Sequence, residues 1–499
     1  MAPPVMTTGS ILLRYGCSHP IATLSALFLA WKSLLLLIIF TSPRLGYDTS
    51  SSLLLSVGGK NENENAITGY LSGTPNQIES PWLKFVRWDA IYFTQMAEHG
   101  HVFEQEWAFG IGISSTIRWT AKIIGRTMDI GNLTASFMVA GVCLSHVAHW
   151  LAVLQIWAIA SHLMGAGGGG SNRKSQKESS SEVPFLAAVM HIISPAGVFL
   201  STPNTESLFA CLSFCGFLAF LSATSQFHQG TVLRGACTMV ASGLAFGLAT
   251  LIRSNGILAG IPFLIEAVSI AFAVLSSQGV SLSRVVRLGS VVVGGLLVAT
   301  GMVLPQVLAY QEYCAGQSPG QRREWCEWTI PSIFTFVQSH YWNVGPFRYW
   351  TFSNLPLFLL AAPTLWILVQ SAIEVMKKPE MVIRGKSPSS SSSSSPTGKG
   401  VTNTSTSKIS STNNNQHRLV VAASLALPQF SLAVLAFTSY HVQIITRISS
   451  GYPLWYIWLA AKIRSQETKN TSVAIIIIRW MIIYALVQAG LYASFLPPA

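Results

Sequence analysis

Apolar residues in this chain gather into long unbroken runs, a pattern that predicts membrane-crossing helices rather than the one-sided helices of a water-soluble core. The first run, Ile21 to Phe40, has about the 20 residues needed to cross a bilayer core. It is too long for a signal-peptide core and no small-residue cleavage site follows, so it is expected to be a retained span. Further runs lie at 133–164, 184–202, 205–225, 233–252, 257–277, 288–311, 352–376, 419–439, 450–463 and 474–496. The pattern predicts an all-α polytopic membrane protein with about eleven spans, or ten if the short run at 450–463 is a half-span or surface helix.

Composition agrees: of 499 residues 50% are hydrophobic and 10% charged, against about 25% charged in a typical soluble domain. A soluble enzyme is excluded. The net charge of +12 would suggest an acidic partner such as nucleic acid if it were spread over the surface. It is not spread. With the N-terminus in the cytoplasm and alternating spans, the cytoplasmic ends and loops carry 18 Lys and Arg against 5 acids, the opposite side 12 against 13, and only Lys32 and Glu266 lie within spans. That is the bias of basic residues toward the cytoplasm, and it removes the need for a nucleic-acid partner.

Two low-complexity stretches, 165–183 and 387–415, fall on the cytoplasmic side of a single domain covering 1–499. Both are expected to be disordered insertions because they hold almost nothing apolar to bury. The polar segments with chemical potential face the other way.

The longest of these contains Trp82-Leu-Lys-Phe-Val-Arg-Trp-Asp-Ala-Ile-Tyr-Phe-Thr-Gln-Met-Ala-Glu-His-Gly100. Apolar positions 82, 85, 86, 93, 96 and 97 recur at helical spacing and Gly100 stops the run, which predicts an amphipathic helix on the membrane surface. A carboxylate on such a helix is costly unless it faces a wet cavity. Asp89 is thus either a general base or one half of a surface ion pair with Arg87 or Lys84. In Ser201-Thr202-Pro203-Asn204-Thr205-Glu206-Ser207, Thr202 and Pro203 suit the cap and first position of a helix and Glu206 its first turn. Arg253 in Arg253-Ser254-Asn255-Gly256, and His441, Gln443 and Arg447, form two donor sets suited either to a phosphate or to lipid headgroups. Cys314 and Cys326 share one loop on this side, where a disulfide can persist; the other five cysteines read as packing residues. No metal-ligand spacing, phosphate-binding glycine loop or dinucleotide fingerprint is present. His146, His149 and His191 lie unclustered in spans, where helix-to-helix hydrogen bonds are the expected role.

Taken in order, these blocks resemble the GPI mannosyltransferase 2 family. They comprise Phe85-Val-Arg-Trp-Asp-Ala-Ile-Tyr-Phe93, Ala97-Glu-His-Gly100, Glu106-Trp-Ala-Phe109, Ser194-Pro-Ala-Gly-Val-Phe199, Thr205-Glu-Ser-Leu-Phe209 and Arg253-Ser-Asn-Gly256. Tyr341-Trp-Asn-Val-Gly345, Arg348-Tyr-Trp-Thr351, His441-Val-Gln443, Arg447 and Pro453-Leu-Trp-Tyr456 follow in the same order. One departure stands out: after Trp107-Ala-Phe109 the chain continues Gly110-Ile-Gly112 instead of the family's aromatic and proline.

The resemblance implies a GT-C-type glycosyltransferase of the endoplasmic reticulum with its site in the lumen. It would transfer the second mannose, in α-1,6 linkage, from dolichyl phosphate mannose to a monomannosylated GPI precursor with inversion. No cofactor or metal beyond the lipid-linked donor is implied, and room is left for a small membrane partner subunit. It also implies Asp89 as catalytic base, with Arg87, His99, Glu206, Arg253, Asn255, His441, Gln443 and Arg447 as substrate-binding residues. Three other readings remain: a dolichyl-phosphate-sugar transferase acting on N-glycans or proteins, a transporter, and a non-catalytic subunit of a lipid-modifying complex. A transporter usually shows an internal repeat with interrupted helices in matching positions, and none is visible.

Overall fold

The computed structural model describes residues 8–43, 81–127, 133–165, 174–275, 279–316, 318, 322–383, 404–465 and 467–497. The helices are α1 (Thr8–Ser18), α2 (Pro20–Thr41), α3 (Asp89–His99), α4 (Gly112–Thr127), α5 (Leu133–Met164), α6 (Lys174–Ile192), α7 (Glu206–His228) and α8 (Val232–Ile252). They continue as α9 (Gly260–Ala273), α10 (Leu282–Tyr313), α11 (Ile333–His340), α12 (Leu355–Lys377), α13 (Thr404–Thr438), α14 (Leu454–Ile463) and α15 (Thr468–Ala493). No strand occurs among the described residues. Nine of the helical segments are long and apolar enough to cross a membrane, and two shorter apolar helices, Ser181–Ile192 and Leu454–Ile463, accompany them.

The two short helices decide the topology. Asp89 and Arg253 line the same cavity, yet only three long helices, α5, α7 and α8, separate them in the chain. Three crossings would leave the two residues on opposite faces. A fourth is needed, and it consists of α6 continued by the buried, irregular stretch 193–205. The run expected at 184–202 is therefore a half-helix joined to unwound chain. In the same way α14 completes the crossing begun by the irregular stretch 441–453. Its far end meets α12 through Lys462–Glu374 (3.0 Å), and Arg464 pairs with Glu182 of α6 (2.6 Å). Eleven crossings result among the described residues, and α6 packs on α14.

Unwound backbone survives at membrane depth only where protein satisfies its polar groups, and here it does. The Leu200 carbonyl accepts from Lys32 Nζ (2.7 Å) and Ser207 Oγ (3.0 Å), and the Thr202 carbonyl from Ser145 Oγ (2.6 Å). On the partner stretch, the Gly451 carbonyl accepts from Ser213 Oγ (2.9 Å) and the Ser449 carbonyl from Trp455 Nε1 (3.1 Å). His191 Nε2 lies 3.2 Å from the Ser450 carbonyl. The intramembrane lysine thus has a structural task. Lys32→Met should keep the helix apolar yet leave the Leu200 carbonyl short of a donor, at a cost of about 1–3 kcal/mol. A lowered melting temperature in detergent, with insertion intact, is the expected result; an unchanged one would mean that Ser207 suffices.

Several expectations need correction. The helix expected over 82–100 begins only at Asp89, because Trp88 adopts φ 55° and breaks the chain behind the 3-10 turn Pro81–Phe85. Gly100, at φ 87°, does end it. The strongly amphipathic helix of this region is α4, which was not anticipated; its exposed side carries Trp119, Lys122, Ile123 and Arg126. Helix α7 starts at Glu206 with Thr205 before it, not at Pro203. His149 and His191 are not isolated, since their rings lie 5.0 Å apart. Of the two insertions, 166–173 and 384–403 lie outside the described residues, as do 44–80 of the first long loop. Residues 174–183 and 404–415 have helical backbone, because α6 and α13 start at Lys174 and Thr404.

Candidate active site

A cavity of about 640 Å³ opens at the face that carries Asp89. Its walls come from six places in the sequence: the start of α3, the loop before α4, Thr205 just before α7, the α8–α9 junction, the segment from α11 to Arg348, and the stretch from Tyr440 to Ile448.

Asp89 sits at the first residue of α3, where the helix dipole favours a carboxylate. What holds this helix start is a tyrosine from the other end of the chain. The Tyr492 hydroxyl of α15 bonds the carbonyls of Phe85 (3.1 Å) and Arg87 (3.0 Å) and lies 3.3 Å from the Arg87 amide. The strained Trp88 is braced by its ring, packed edge-on against Phe495 at 5.2 Å. A non-glycine residue at positive φ persists only where its surroundings enforce it.

The Asp89 carboxylate is the outer member of a chain of ion pairs. Arg447 Nη2 lies 2.9 Å from Asp89 Oδ2 and 2.8 Å from Glu206 Oε1, which also accepts from Arg447 Nε at 2.8 Å. Arg253 Nη1 reaches the same Glu206 oxygen at 3.1 Å and bonds Thr205 Oγ1. The Arg447 guanidinium stacks 3.8 Å over the Phe199 ring. Side-chain exposure grades the chain: Glu206 0%, Arg447 10%, Arg253 19% and Asp89 37%. Two buried guanidinium groups would be untenable without the carboxylates between them. Asp89 is the most exposed of the four in the cavity, and its second oxygen has no hydrogen-bond partner among the described residues.

The other expected residues divide. Asn255 and His441 line the cavity. Asn255 Nδ2 donates to the Tyr452 hydroxyl (3.2 Å), and His441 Nε2 lies 2.9 Å from the Trp342 carbonyl with its ring stacked on Tyr349. Gln443 stands behind this wall and accepts from the Tyr349 hydroxyl at 3.1 Å. Glu206 is beneath the floor rather than in it. Arg87 turns away and lies 4.9 Å over the Phe495 ring, and His99 is exposed at the opposite end of α3, outside the cavity lining.

Other lining residues had not been singled out for the site. Tyr92, Phe109 and Trp342 form a continuous aromatic wall, Tyr92 stacked on Phe109 at 5.3 Å and Phe109 against Trp342 at 5.2 Å. Arg348 lines the cavity from a strap pinned to the end of α13. Glu104 anchors the neighbouring loop by accepting from Trp325 Nε1 and the Tyr341 hydroxyl, both at 3.2 Å. Burial and that carboxylate hold the Tyr341 hydroxyl above the ordinary phenol range, so it serves Glu104 as a neutral donor. The loop carrying Trp325 is closed by the Cys314–Cys326 disulfide.

The Gly110-Ile-Gly112 departure also finds its place. A Cβ at Gly110 would sit 2.6 Å from the Leu251 carbonyl oxygen, and one at Gly112 2.9 Å from it. Gly110 has φ 74° as well. Bare backbone here lets the loop close on the end of α8 at Leu251, two residues before Arg253.

A carboxylate with a free oxygen, an aromatic wall and guanidinium groups around one water-accessible cavity suit a proton transfer next to a sugar and an anionic leaving group. No group of three or more His, Cys, Asp or Glu that could hold a metal is found among the described residues.

The family model described as Mannosyltransferase (PIG-V) matches residues 22–499. A Gibberella zeae protein named GPI mannosyltransferase 2 is 38% identical over 489 residues, covering 98% of this chain and 100% of that one. The Yarrowia lipolytica protein of the same name is 29% identical over 477 residues, 96% of this chain and 99% of that one. GPI alpha-1,6-mannosyltransferase 2 of Cricetulus griseus is 30% identical over 309 residues, 57% of this chain and 56% of that one. Among solved structures, the Archaeoglobus fulgidus oligosaccharyltransferase tethered with an acceptor peptide has a TM-score of 0.40 and 12% identity, covering 93% of this chain and 55% of that one. That likeness is too loose to argue from.

Proposed function

Because the chain belongs to the PIG-V mannosyltransferase family, we propose that it transfers the second mannose of the GPI anchor, in α-1,6 linkage, to a monomannosylated precursor. The donor is dolichyl phosphate mannose, the protein sits in the endoplasmic reticulum membrane, and the site faces the lumen. The carrying observation is Asp89 at the open end of the ion-pair chain, the one carboxylate of that chain with a free oxygen in the cavity.

In this reading Asp89 takes the proton of the acceptor hydroxyl while the hydroxyl oxygen attacks the anomeric carbon. The bond from that carbon to the phosphate oxygen breaks, and dolichyl phosphate leaves with the electron pair, so the sugar inverts. Arg447 fixes the orientation of Asp89, and the proton that Asp89 has taken passes to water in the cavity before the next turnover. Positive charge around the cavity stabilises the growing charge of the leaving phosphate in an oxocarbenium-like transition state. A phosphate leaves without help from an acid, so one carboxylate suffices. Both substrates are lipids, which accounts for a cavity at the membrane face, and the aromatic wall offers a sugar ring an apolar surface.

The test is an assay of the purified protein in nanodiscs with dolichyl phosphate mannose and monomannosylated GPI precursor. The expected product carries one further mannose, removable by an α-1,6-specific mannosidase. Turnover with an N-glycan or peptide acceptor and none with the GPI precursor would assign the protein to another acceptor.

A further inference from the structure

The two arginines in the best position to hold a donor phosphate are already engaged. Arg253 and Arg447 are ion-paired to Glu206, and Arg447 to Asp89 as well, so the group of two guanidinium ions and two carboxylates is neutral as a whole. The third arginine of the cavity, Arg348, is different. It is exposed and, among the described residues, has no carboxylate within ion-pair distance; its side chain makes one hydrogen bond there, a long one, 3.4 Å, from Nη1 to the Ser339 carbonyl.

The backbone holds Arg348 in place. It belongs to a strap, 343–350, whose Phe347 amide donates to the Thr438 carbonyl (2.6 Å) and whose Gly345 amide donates to the Ser439 carbonyl (3.3 Å). Trp350 Nε1 adds a bond to the Phe437 carbonyl (2.8 Å). Asn343 and Phe347 both have positive φ, 50° and 57°. Two non-glycine residues at positive φ in the stretch leading to one cation mark a conformation enforced by its surroundings. Next to the cation, large apolar side chains are left bare: Phe347 is 58% exposed, Trp350 49% and Phe352 97%. A guanidinium facing a wet cavity, with uncovered aromatic rings close by in the chain, matches a ligand that is anionic at one end and a long hydrocarbon at the other.

We propose that Arg348 is the ligand of the donor's phosphate, and that Phe347, Trp350 and Phe352 take the first isoprene units of its chain. This rests on the dolichyl phosphate donor named above and assigns the donor end of the cavity. Arg253 and Arg447 then set the geometry of Asp89, while the free positive charge that the departing phosphate needs comes from the strap.

The experiment measures farnesyl phosphate binding to the full-length protein in phosphatidylcholine nanodiscs by tryptophan fluorescence, alongside donor and acceptor kinetics. Arg348→Ala should weaken farnesyl phosphate about 10- to 100-fold, the loss expected for a charge-assisted bidentate contact, and Arg348→Lys should fall between. Donor KM should rise by a similar factor, with acceptor KM unchanged. Arg348→Gln, which keeps a polar side chain without the charge, should behave like the alanine variant. Inorganic phosphate and farnesol should each bind the wild type far more weakly than farnesyl phosphate. Unchanged farnesyl phosphate affinity in both Arg348→Ala and Arg348→Gln would overturn the assignment, as would a rise confined to acceptor KM. Equal affinity for inorganic phosphate would show a plain anion site and overturn it too. A wild type that binds farnesyl phosphate in none of these measurements, and transfers no mannose from the dolichyl donor, would instead overturn the donor reading itself.

Discussion

Asp89→Asn should reduce mannose transfer by about 10²- to 10⁴-fold, the usual cost of removing a general base, while the protein inserts and melts much as the wild type does. Asparagine keeps the shape and can still accept a hydrogen bond from Arg447, but it cannot take the proton of the acceptor hydroxyl. The carboxylate is 37% exposed at the end of the ion-pair chain, so solvent screening limits what its charge contributes to stability. Asp89→Glu should recover little. The start of α3 is fixed by the three contacts of the Tyr492 hydroxyl and by the strained Trp88, so an added methylene moves the oxygens rather than the backbone. Turnover and thermal unfolding measured on the same preparations check this; equal turnover by Asp89→Asn would remove Asp89 from the mechanism.

Glu206→Gln should act on the fold as much as on the chemistry. Its carboxylate has no exposed surface and holds both Arg253 and Arg447. Removing one partner of a buried ion pair costs about 3–5 kcal/mol, because the other charge stays behind uncompensated. Here two charges stay behind, with only Asp89 to answer them. The variant should show a large drop in melting temperature or fail to accumulate, and any surviving protein should be inactive because Arg447 no longer positions Asp89. Glu206→Asp keeps the charge at a shorter reach and should recover stability before activity. A Glu206→Gln protein that melts like the wild type would show that the arginines are neutralised in some other way. The pair of variants separates roles: Asp89→Asn is expected to lose rate alone, Glu206→Gln both rate and fold.

Much of this was legible along the chain. Runs of about twenty apolar residues specify spanning helices because a bilayer leaves the backbone no other partner. The Cys314–Cys326 pairing and the polar blocks around Asp89, Arg253 and Arg447 could be picked out by residue type. The roles of these residues could not. Glu206 looks like an ordinary first-turn acid, and Arg253 and Arg447 like free phosphate ligands, until the fold brings all three together across 241 residues of sequence. Arg348, set among aromatic residues in a loop, gave no sign that it would be the cavity arginine without an acid partner among the described residues. The short run at 450–463 was ambiguous for the same reason that 184–202 was misjudged in form. Hydropathy reports whether a residue can be buried, but not whether its backbone is hydrogen-bonded within its own helix or by Lys32, Ser145 and Ser213 from other helices. The sequence by itself thus determined the membrane, the apolar runs that enter it and the chemical inventory of the site, which follow from the local cost of placing each residue in hydrocarbon. Only the tertiary structure decided which charges cancel and which remain for substrate, because electrostatic pairing falls off with distance in space and takes no account of distance along the chain.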